Sequence, residues 1–512
     1  MSAIRVFVAC SAVLAGAGAG GAAAAGPTTL PAEDAARLAA RRTPLVRLFE
    51  ACRPSVVTVT VARKGSPAGA PESRPAGESP PSRAVTHTER GSGFVIHSDG
   101  YVLTVAHVLR YGGRCRAYRD DGRGYRAEVV ARDDTLDLAL LKLDSREIFQ
   151  PIKLARSDDL MVGERAVVLG NPFGFGLTLG AGVITGLDRK TKTDFTFLTN
   201  VIQTDAGICP GVSGGPVVNA FGEVVGMAVS RREDAQSIGF ATTTNTIRGA
   251  FPALLAPEER YGFVLGLQAT PGLAARVTHV EPQSPADEAQ VRVHDVITAV
   301  EGRALRTGID FYLSLVGREG GQKLRLRLLR KHRPVDTVVT LGAVPFRPAV
   351  EPGPITAGLN YRAYRGKWKA LPDFDRLKPA ASGTTKTFGP GTYREKDRFA
   401  LVFTGYVEVP ADGVYAFYTR SDDGSRLYLG DRLVVDNDAV HGSVERRGFA
   451  ALRAGLHPIR VTFFDADGEE ELTVCYEGPG LEKRPIPENV LFRPKDRPAP
   501  EPETRSPSNG PK

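Results

Sequence analysis

The segment Gly211-Val212-Ser213-Gly214-Gly215-Pro216 sets a serine among glycines. A nucleophilic serine needs a tight turn that exposes its oxygen and aims backbone N–H groups at a developing oxyanion. Glycines beside it admit the close approach and unusual dihedrals of such a turn. Two residues upstream have the types that complete acyl-transfer chemistry. His107 follows the run Leu103-Thr104-Val105-Ala106, at the end of an expected strand. Asp137 heads the run Leu138-Ala139-Leu140-Leu141, which draws its carboxylate inward. Burying that carboxylate is costly unless it is paired, for instance with an imidazole N–H. Asp133 and Asp134 lie nearer the turn and are expected in solvent. A second feature is Asp422-Asp423-Gly424, between the strand-like runs Val414 to Tyr418 and Arg426 to Leu429. Adjacent carboxylates repel unless a cation or donors lie between them. Calcium, a hard ion taking six to eight oxygens, suits such a pair. So does a turn in which Arg426 or backbone N–H groups are the partners.

The elements that hold these groups are short strands. From Ser55 the run Ser-Val-Val-Thr-Val-Thr-Val alternates and is β-branched, a strand signal. Between Gly91 and Ala241 about ten short apolar runs are separated by turn residues, the spacing of a sandwich or of barrels. Residues 32–52 read as helical, broken at Thr43-Pro44. Residues 63–89 are rich in Pro, Gly, Ser and Arg and read as a loop. Residues 258–343 show a mixed α and β pattern, and 344–356 carry four prolines, as a stiff linker would. Residues 357–492 are strand-rich, and 493–512 form a Pro-rich polar tail.

Composition bounds the reading. The chain has 512 residues, 42% apolar and 24% charged, which suits about three globular domains. The net charge of +8 is spread among acids rather than gathered in runs, so nucleic acid is not an expected partner. Residues 1–26 have the Arg5 charge, the apolar run Val6 to Leu14 and the Ala/Gly stretch of an export signal. Cys10 would leave with it. Cys52, Cys115, Cys209 and Cys475 then allow three pairings, all left open. No later stretch reaches 18 uninterrupted apolar residues, so no later transmembrane helix is expected.

The order His107, Asp137, Ser213 is that of chymotrypsin. With Gly91-Ser92-Gly93-Phe94-Val95-Ile96, Gly170-Asn171-Pro172-Phe173-Gly174 and Gln203-Thr204-Asp205, these segments resemble the protease domain of the HtrA (DegP-like) serine proteases. The resemblance implies a trypsin-like double β-barrel over 45–252, preceded by an N-terminal helical segment, 27–54. It implies His107, Asp137 and Ser213 as a triad, with the N–H groups of Gly211 and Ser213 as oxyanion donors. It places Ile208 and the strand Met227-Ala228-Val229 as walls of the substrate pocket. Val105, Cys209 and Val212 stand where the family commonly has Asn. Residues 258–343 resemble a PDZ domain through Gly262 to Leu267, Val280 to Ala286 and Asp295-Val296-Ile297. That implies a site for peptide C-termini at the N–H groups of Val264, Leu265, Gly266 and Leu267. Gln290 and His294 replace glycines usual there, at roughly 1 kcal/mol each if a positive φ is kept. Residues 357–492 resemble a PA14 β-sandwich through Gly358-Leu359-Asn360-Tyr361, Ser421 to Leu427 and Gly455 to Arg460. In glycan-binding PA14 domains a paired-Asp loop holds calcium. The resemblance therefore implies Asp422 and Asp423 as metal ligands and carbohydrate as a partner, with Asp465 and Asp467 as further oxygen donors by composition alone.

The expected protein is mainly β and multidomain. It would be an exported serine endopeptidase, periplasmic or envelope-associated or secreted, acting on unfolded proteins and needing no cofactor for catalysis. The family implies homo-oligomers, trimers or multiples of them. The competing class is a non-proteolytic adhesion or chaperone-like scaffold that works through the PDZ and PA14 domains.

Overall fold

The computed structural model describes residues 32–64, 86–110, 113–193, 196–231, 237–393, 397–468 and 470–495. The expected export segment, much of the 63–89 loop and nearly all of the tail lie outside them. Among the described residues no helix is long and apolar enough to cross a membrane. Two helices open the described residues, α1 (Ala32–Arg41) and α2 (Pro44–Cys52). Pro44 starts α2 at a position where its missing N–H costs nothing, and the Thr43 side chain accepts from the Val46 N–H.

The first barrel comprises β1 (Val56–Lys64), β2 (Thr86–His97), β3 (Tyr101–Thr104), β4 (Arg114–Arg119), β5 (Gly124–Asp133) and β6 (Leu138–Leu143). They close in the order β1-β2-β3-β6-β5-β4. Val57, Val59 and Val61 of β1 are buried while Thr58 and Thr60 are less so, as the alternation requires. The expected loop ends earlier than composition suggested. β2 begins at Thr86 and pairs Glu89 with Val61 and Thr88 with Ala62. A ladder needs backbone groups, not large apolar side chains, so polar residues extend it.

The second barrel comprises β7 (Arg165–Gly170), β8 (Thr178–Lys192), β9 (Phe197–Thr204), β10 (Pro216–Val218), β11 (Val224–Arg231) and β12 (Gly239–Thr243), closed as β10-β11-β12-β9-β8-β7. Helix α3 (Thr244–Leu255) follows, capped at its start by Thr243. Ala256 ends it in the left-handed region at φ 38°. The five-residue helix α4 (Pro257–Tyr261) then leads into the second domain.

That domain is a small sheet with the short helices α5 (Pro285–Glu288) and α6 (Gly308–Ser314). In strand Lys323–Arg330 the leucines 324, 326 and 328 are buried and the basic residues between them exposed. Gln290 and His294 adopt φ of 57° and 76°, so both non-glycine residues occupy the strained conformation the sequence suggested. The Pro-rich segment 344–356 is not a free spacer. The Arg347 N–H donates to the Ala451 carbonyl at 2.8 Å, and the Val350 N–H to Leu456 at 2.8 Å. Its prolines lack N–H groups, but the residues between them do not, and these stitch the segment to the third domain.

The third domain packs an eight-stranded sheet on a four-stranded one. Phe403, Phe417 and Phe463, from both sheets, share its core with no exposure. Cys52, Cys115 and Cys475 are buried thiols with no disulfide among them. Burial pushes their pKa values up to about 11, 12 and 11.

The third domain is clamped to the first. The Arg447 guanidinium donates to the carbonyls of Ala253 (3.2 Å) and Leu254 (2.5 Å), at the C-terminal end of α3. It also donates to Arg132 of β5 at 3.3 Å. Helix C-termini leave carbonyls unsatisfied and carry partial negative charge, so a cation is favoured there. Burial and the nearby Arg260 lower the Arg447 pKa. Arg447→Ala should therefore free the third domain and expose α3, at about 2 kcal/mol, the scale of a charged hydrogen bond. Hydrogen exchange at residues 252–256 should speed up. Unchanged protection there would show that the clamp carries no stability.

Candidate functional site

The β3–β6 register brings the first two functional side chains together. Thr104 at the end of β3 faces Ala139 near the start of β6. In an antiparallel pair, residues just past one strand's end lie beside those just before its partner's start. His107 and Asp137 occupy those places. The Asp137 carboxylate is buried and spans 2.7 Å from Oδ2 to His107 Nδ1. Its other oxygen accepts the His107 backbone N–H at 2.8 Å. One carboxylate thus fixes both the ring and the chain of His107. With Nδ1–H given to Asp137, Nε2 is left to accept a proton. By contrast Asp133 caps the turn, accepting the N–H groups of Thr135 and Leu136.

Ser213 comes from the second barrel, in the turn between β9 and β10. Its Oγ lies 3.4 Å from the Val229 carbonyl. Gly211 has φ 94°, and a Cβ there would stand 2.5 Å from the Asn171 carbonyl oxygen, so only glycine fits. The Pro210 carbonyl accepts the Phe173 N–H at 3.0 Å. Because a trans peptide points its C=O and N–H in opposite directions, the Gly211 N–H faces away from Phe173. The Val105, Cys209 and Val212 departures do not prevent this turn. The Val212 N–H donates to Cys209 at 3.0 Å through backbone atoms alone.

Ser92 joins the two barrels. Its Oγ donates to the Gly211 carbonyl at 2.7 Å and accepts the Asn171 N–H at 2.9 Å. Its own N–H donates to the Ser213 carbonyl at 2.8 Å. The pocket residues are less united. Ile208 packs with Val212, Ala228 and Ala241 in the second barrel's core, against Gly239. Met227 and Val229 are buried in the separate, larger core. β11 alternates, so its side chains cannot all face Ile208. Val229 reaches Ser213 through its carbonyl instead.

The third domain adds a wall to this site. Arg420, Ser443 and Glu445 line one polar hollow with His107, Arg110, Asp134 and Asp137. Arg420 Nη2 lies 3.6 Å from Asp134 and 3.5 Å from Glu445. Asp134, expected in solvent, is therefore partnered, by Arg132 at 2.5 Å as well. Arg420 sits on an ordinary strand, and no local motif marks it.

In the second domain Val264 is partly exposed, while Leu265 and Leu267 are buried. The N–H groups of Leu265 and Gly266 both point at the Glu258 carboxylate of α4. In the third domain Asp423 accepts the N–H groups of His441 and Ala466, each at 2.8 Å. Asp422 lies next to it, with an oxygen 3.8 Å from the position of a Gly442 Cβ. Asp467 pairs with Arg398 and Lys367. Asp465 is different. It is wholly buried, and neither oxygen has a hydrogen bond of normal geometry. Burial, then the charges of Asp423, Glu470 and Asp397, push its pKa up to about 7, with the Arg398 N–H opposing. Among the described residues no three His, Cys, Asp or Glu side chains are gathered as a metal cluster.

A serine in a Gly-rich turn of one closed barrel and a His–Asp pair on the other are the parts of a trypsin-like serine peptidase. Sequence comparison agrees: residues 91–227 match the trypsin-like peptidase domain family, 237–341 the PDZ domain and 360–489 the PA14 domain. The periplasmic pH-dependent serine endoprotease DegQ of Escherichia coli is 34% identical over 268 residues, 49% of this chain and 59% of DegQ. A probable periplasmic serine protease, do/HhoA-like, of Haemophilus influenzae is 32% identical over 49% of this chain and 58% of its own length. The putative serine protease HhoB of Synechocystis is 31% identical over 306 residues, 55% of this chain and 71% of HhoB. The chain belongs to the HtrA family of serine proteases, and spans less than two thirds of the first two of these relatives.

The buried Asp465 sets a pH test. A carboxyl group whose folded pKa lies above its unfolded value of about 3.9 keeps its proton in the folded state while the unfolded chain ionises. Stability is then lost as pH rises from about 4 to about 7, and the loss is complete above that. Asp465→Asn removes the loss. It should raise the melting temperature of the third domain at pH 8 and have little effect at pH 4. An equal effect at both pH values would contradict the assignment.

Proposed function

We propose that the chain is an exported serine endopeptidase acting on unfolded proteins. The observation that carries this is the 2.7 Å His107–Asp137 contact, together with the Gly211–Ser213 turn whose Pro210 carbonyl is held by Phe173. Ser213 Oγ attacks the scissile carbonyl while His107 Nε2 takes its proton. His107 then returns the proton to the leaving amine, and water releases the acyl group from Ser213. Asp137 holds the tautomer and steadies the imidazolium. The N–H groups of Gly211 and Ser213 receive the oxyanion. Relatives named as periplasmic proteases support action outside the cytoplasm, and the PDZ family match supports the recognition of peptide C-termini. Assembly into trimers or their multiples completes the reading.

The PA14 domain is read as a surface-targeting module that binds carbohydrate, with calcium at Asp422 and Asp423. Support for a cation comes from Asp465, which is buried beside Asp423, with neither oxygen in a hydrogen bond of normal geometry. Bound calcium would supply the positive charge these acids lack. Asp423 already takes two backbone N–H groups, so the ion would use its remaining lone pairs. Millimolar calcium should raise the melting temperature of the full chain over that in chelator, and Asp422→Ala or Asp423→Ala should abolish the rise.

The peptidase reading has a direct test. Ser213→Ala and His107→Ala should each cut turnover of an unfolded protein by several decades, since triad members act as a unit. A fluorophosphonate probe should label the wild type and not Ser213→Ala. No labelling in any state would favour the scaffold. The apolar surroundings of Ile208 suit a small or medium apolar side chain before the cut. Mass-spectrometric mapping should find cuts after Val, Ala, Ile or Leu, and a majority after Lys or Arg would refute this pocket.

A further inference from the structure

A peptide C-terminus docks on a PDZ domain through two sets of backbone groups. Its carboxylate takes N–H groups of the loop before an edge strand, and its main chain pairs with that edge. The chain's own side chains take N–H groups of the first set and the Ala269 groups of the second. Glu258 Oε2 accepts the Leu265 N–H at 3.0 Å, and both Glu258 oxygens lie 3.3 Å from the Gly266 nitrogen. The loop is held rigidly around this carboxylate. The Leu265 carbonyl accepts the Ala286 N–H and the Gly266 carbonyl accepts the Glu281 N–H. Gly266, at φ 72°, has no room for a Cβ against Ser284. The edge strand Leu267–Ala269 pairs on one side with Ala275–Val280. On Ala269 the Tyr312 hydroxyl of α6 donates to the carbonyl at 2.6 Å and lies 3.4 Å from the N–H.

We propose that Glu258 is an internal ligand of the PDZ carboxylate cradle, with Tyr312 blocking the adjoining edge, so that an incoming peptide C-terminus must displace both. This rests on the reading of the second domain as a peptide sensor. The plug is of a displaceable kind. Burial raises the Glu258 pKa, against the pull of its two N–H partners, so the carboxylate gives up hydration to sit there. An incoming carboxylate offers the same N–H groups an equivalent acceptor and returns Glu258 to water. The plug also lies on a connector. Two residues on in α4, Arg260 stacks 5.2 Å over Phe449 and lies 3.7 Å from Glu477, both in the PA14 domain. The same helix thus touches the peptide cradle and the domain that walls His107. Glu258 thus sits on a helix that meets the PDZ loop and the PA14 domain and follows directly on α3 of the first domain.

The test uses the full chain and a fluorescent peptide with an apolar C-terminus, as free acid and as amide. An internal occupant lowers apparent affinity by the fraction of chains whose cradle is open. Glu258→Ala should bind the free acid about tenfold or more tightly than the wild type, and Tyr312→Phe should bind it more tightly by a smaller factor. Glu258→Gln keeps the side chain's shape and one acceptor without charge, and should fall between wild type and Glu258→Ala. The amide should gain little in any variant. Equal free-acid affinity for wild type, Glu258→Gln and Glu258→Ala would overturn the plug and leave the peptide-sensor reading standing. No binding of the free acid to wild type or any variant would overturn both.

Discussion

The catalytic reading depends on one side chain where two closed barrels meet. The barrels have no free edges through which to pair, so they are joined at their surfaces. The His107–Asp137 pair belongs to the first and Ser213 to the second. Ser92 of β2 fixes their relation by accepting the Asn171 N–H and donating to the Gly211 carbonyl. The same residue's N–H holds the Ser213 carbonyl. Around it a Cβ on Gly91 would stand 2.7 Å from Val108, and one on Gly214 would stand 2.1 Å from the Ser92 carbonyl oxygen. The glycines of Gly91-Ser92-Gly93 and of the serine turn are therefore two halves of one contact.

This explains what was legible in the sequence. The serine turn, His107 and Asp137 stand out because each obeys a local rule: glycines for a tight turn, and polar residues at the ends of apolar runs. The β3–β6 register then follows from antiparallel pairing. The positive φ of Gln290 and His294 was readable too, from residues standing where glycine is usual. What stayed hidden is contact between domains. Arg420, Glu445 and Arg447 lie on half-buried strands of the third domain, and no local motif marks them. Their meaning comes from surfaces far along the chain. Ile208, Met227 and Val229 show the converse limit. Proximity to Ser213 in sequence or in the sheet does not say which face of a strand a side chain occupies, and β11 sends Met227 and Val229 away from Ile208.

Buried charge marks the joints of the molecule. Arg447 donates to three carbonyls, two at the end of α3, and the nearby charges of Asp133 and Glu477 add to the negative potential that holds it. Asp137 is buried with both oxygens satisfied by one residue. Asp465 is buried with neither oxygen in a hydrogen bond of normal geometry, and burial beside Asp423 pushes its pKa up to about 7. The contrast separates a carboxylate held as a fixed anchor from one whose surroundings favour its protonated form.

The helix α4 gives the domain order a physical sense. A connector of five residues between left-handed residues at Ala256 and Gly262 leaves little slack. Two domains joined by a long flexible linker sense each other weakly, because most linker conformations bring no contact. Here the connector is itself a contact, with Glu258 turned to the PDZ loop and Arg260 to Phe449. The Pro-rich segment 344–356 acts in the same way on the other side, pinned along the PA14 domain by Arg347 and Val350. A ligand at the PDZ domain can bias the catalytic domain only through a state that differs in free energy between the two. In this chain α4 makes hydrogen bonds to the PDZ loop and a ring contact to the PA14 domain, so any state that moves one of these domains against the other must alter the contacts of α4.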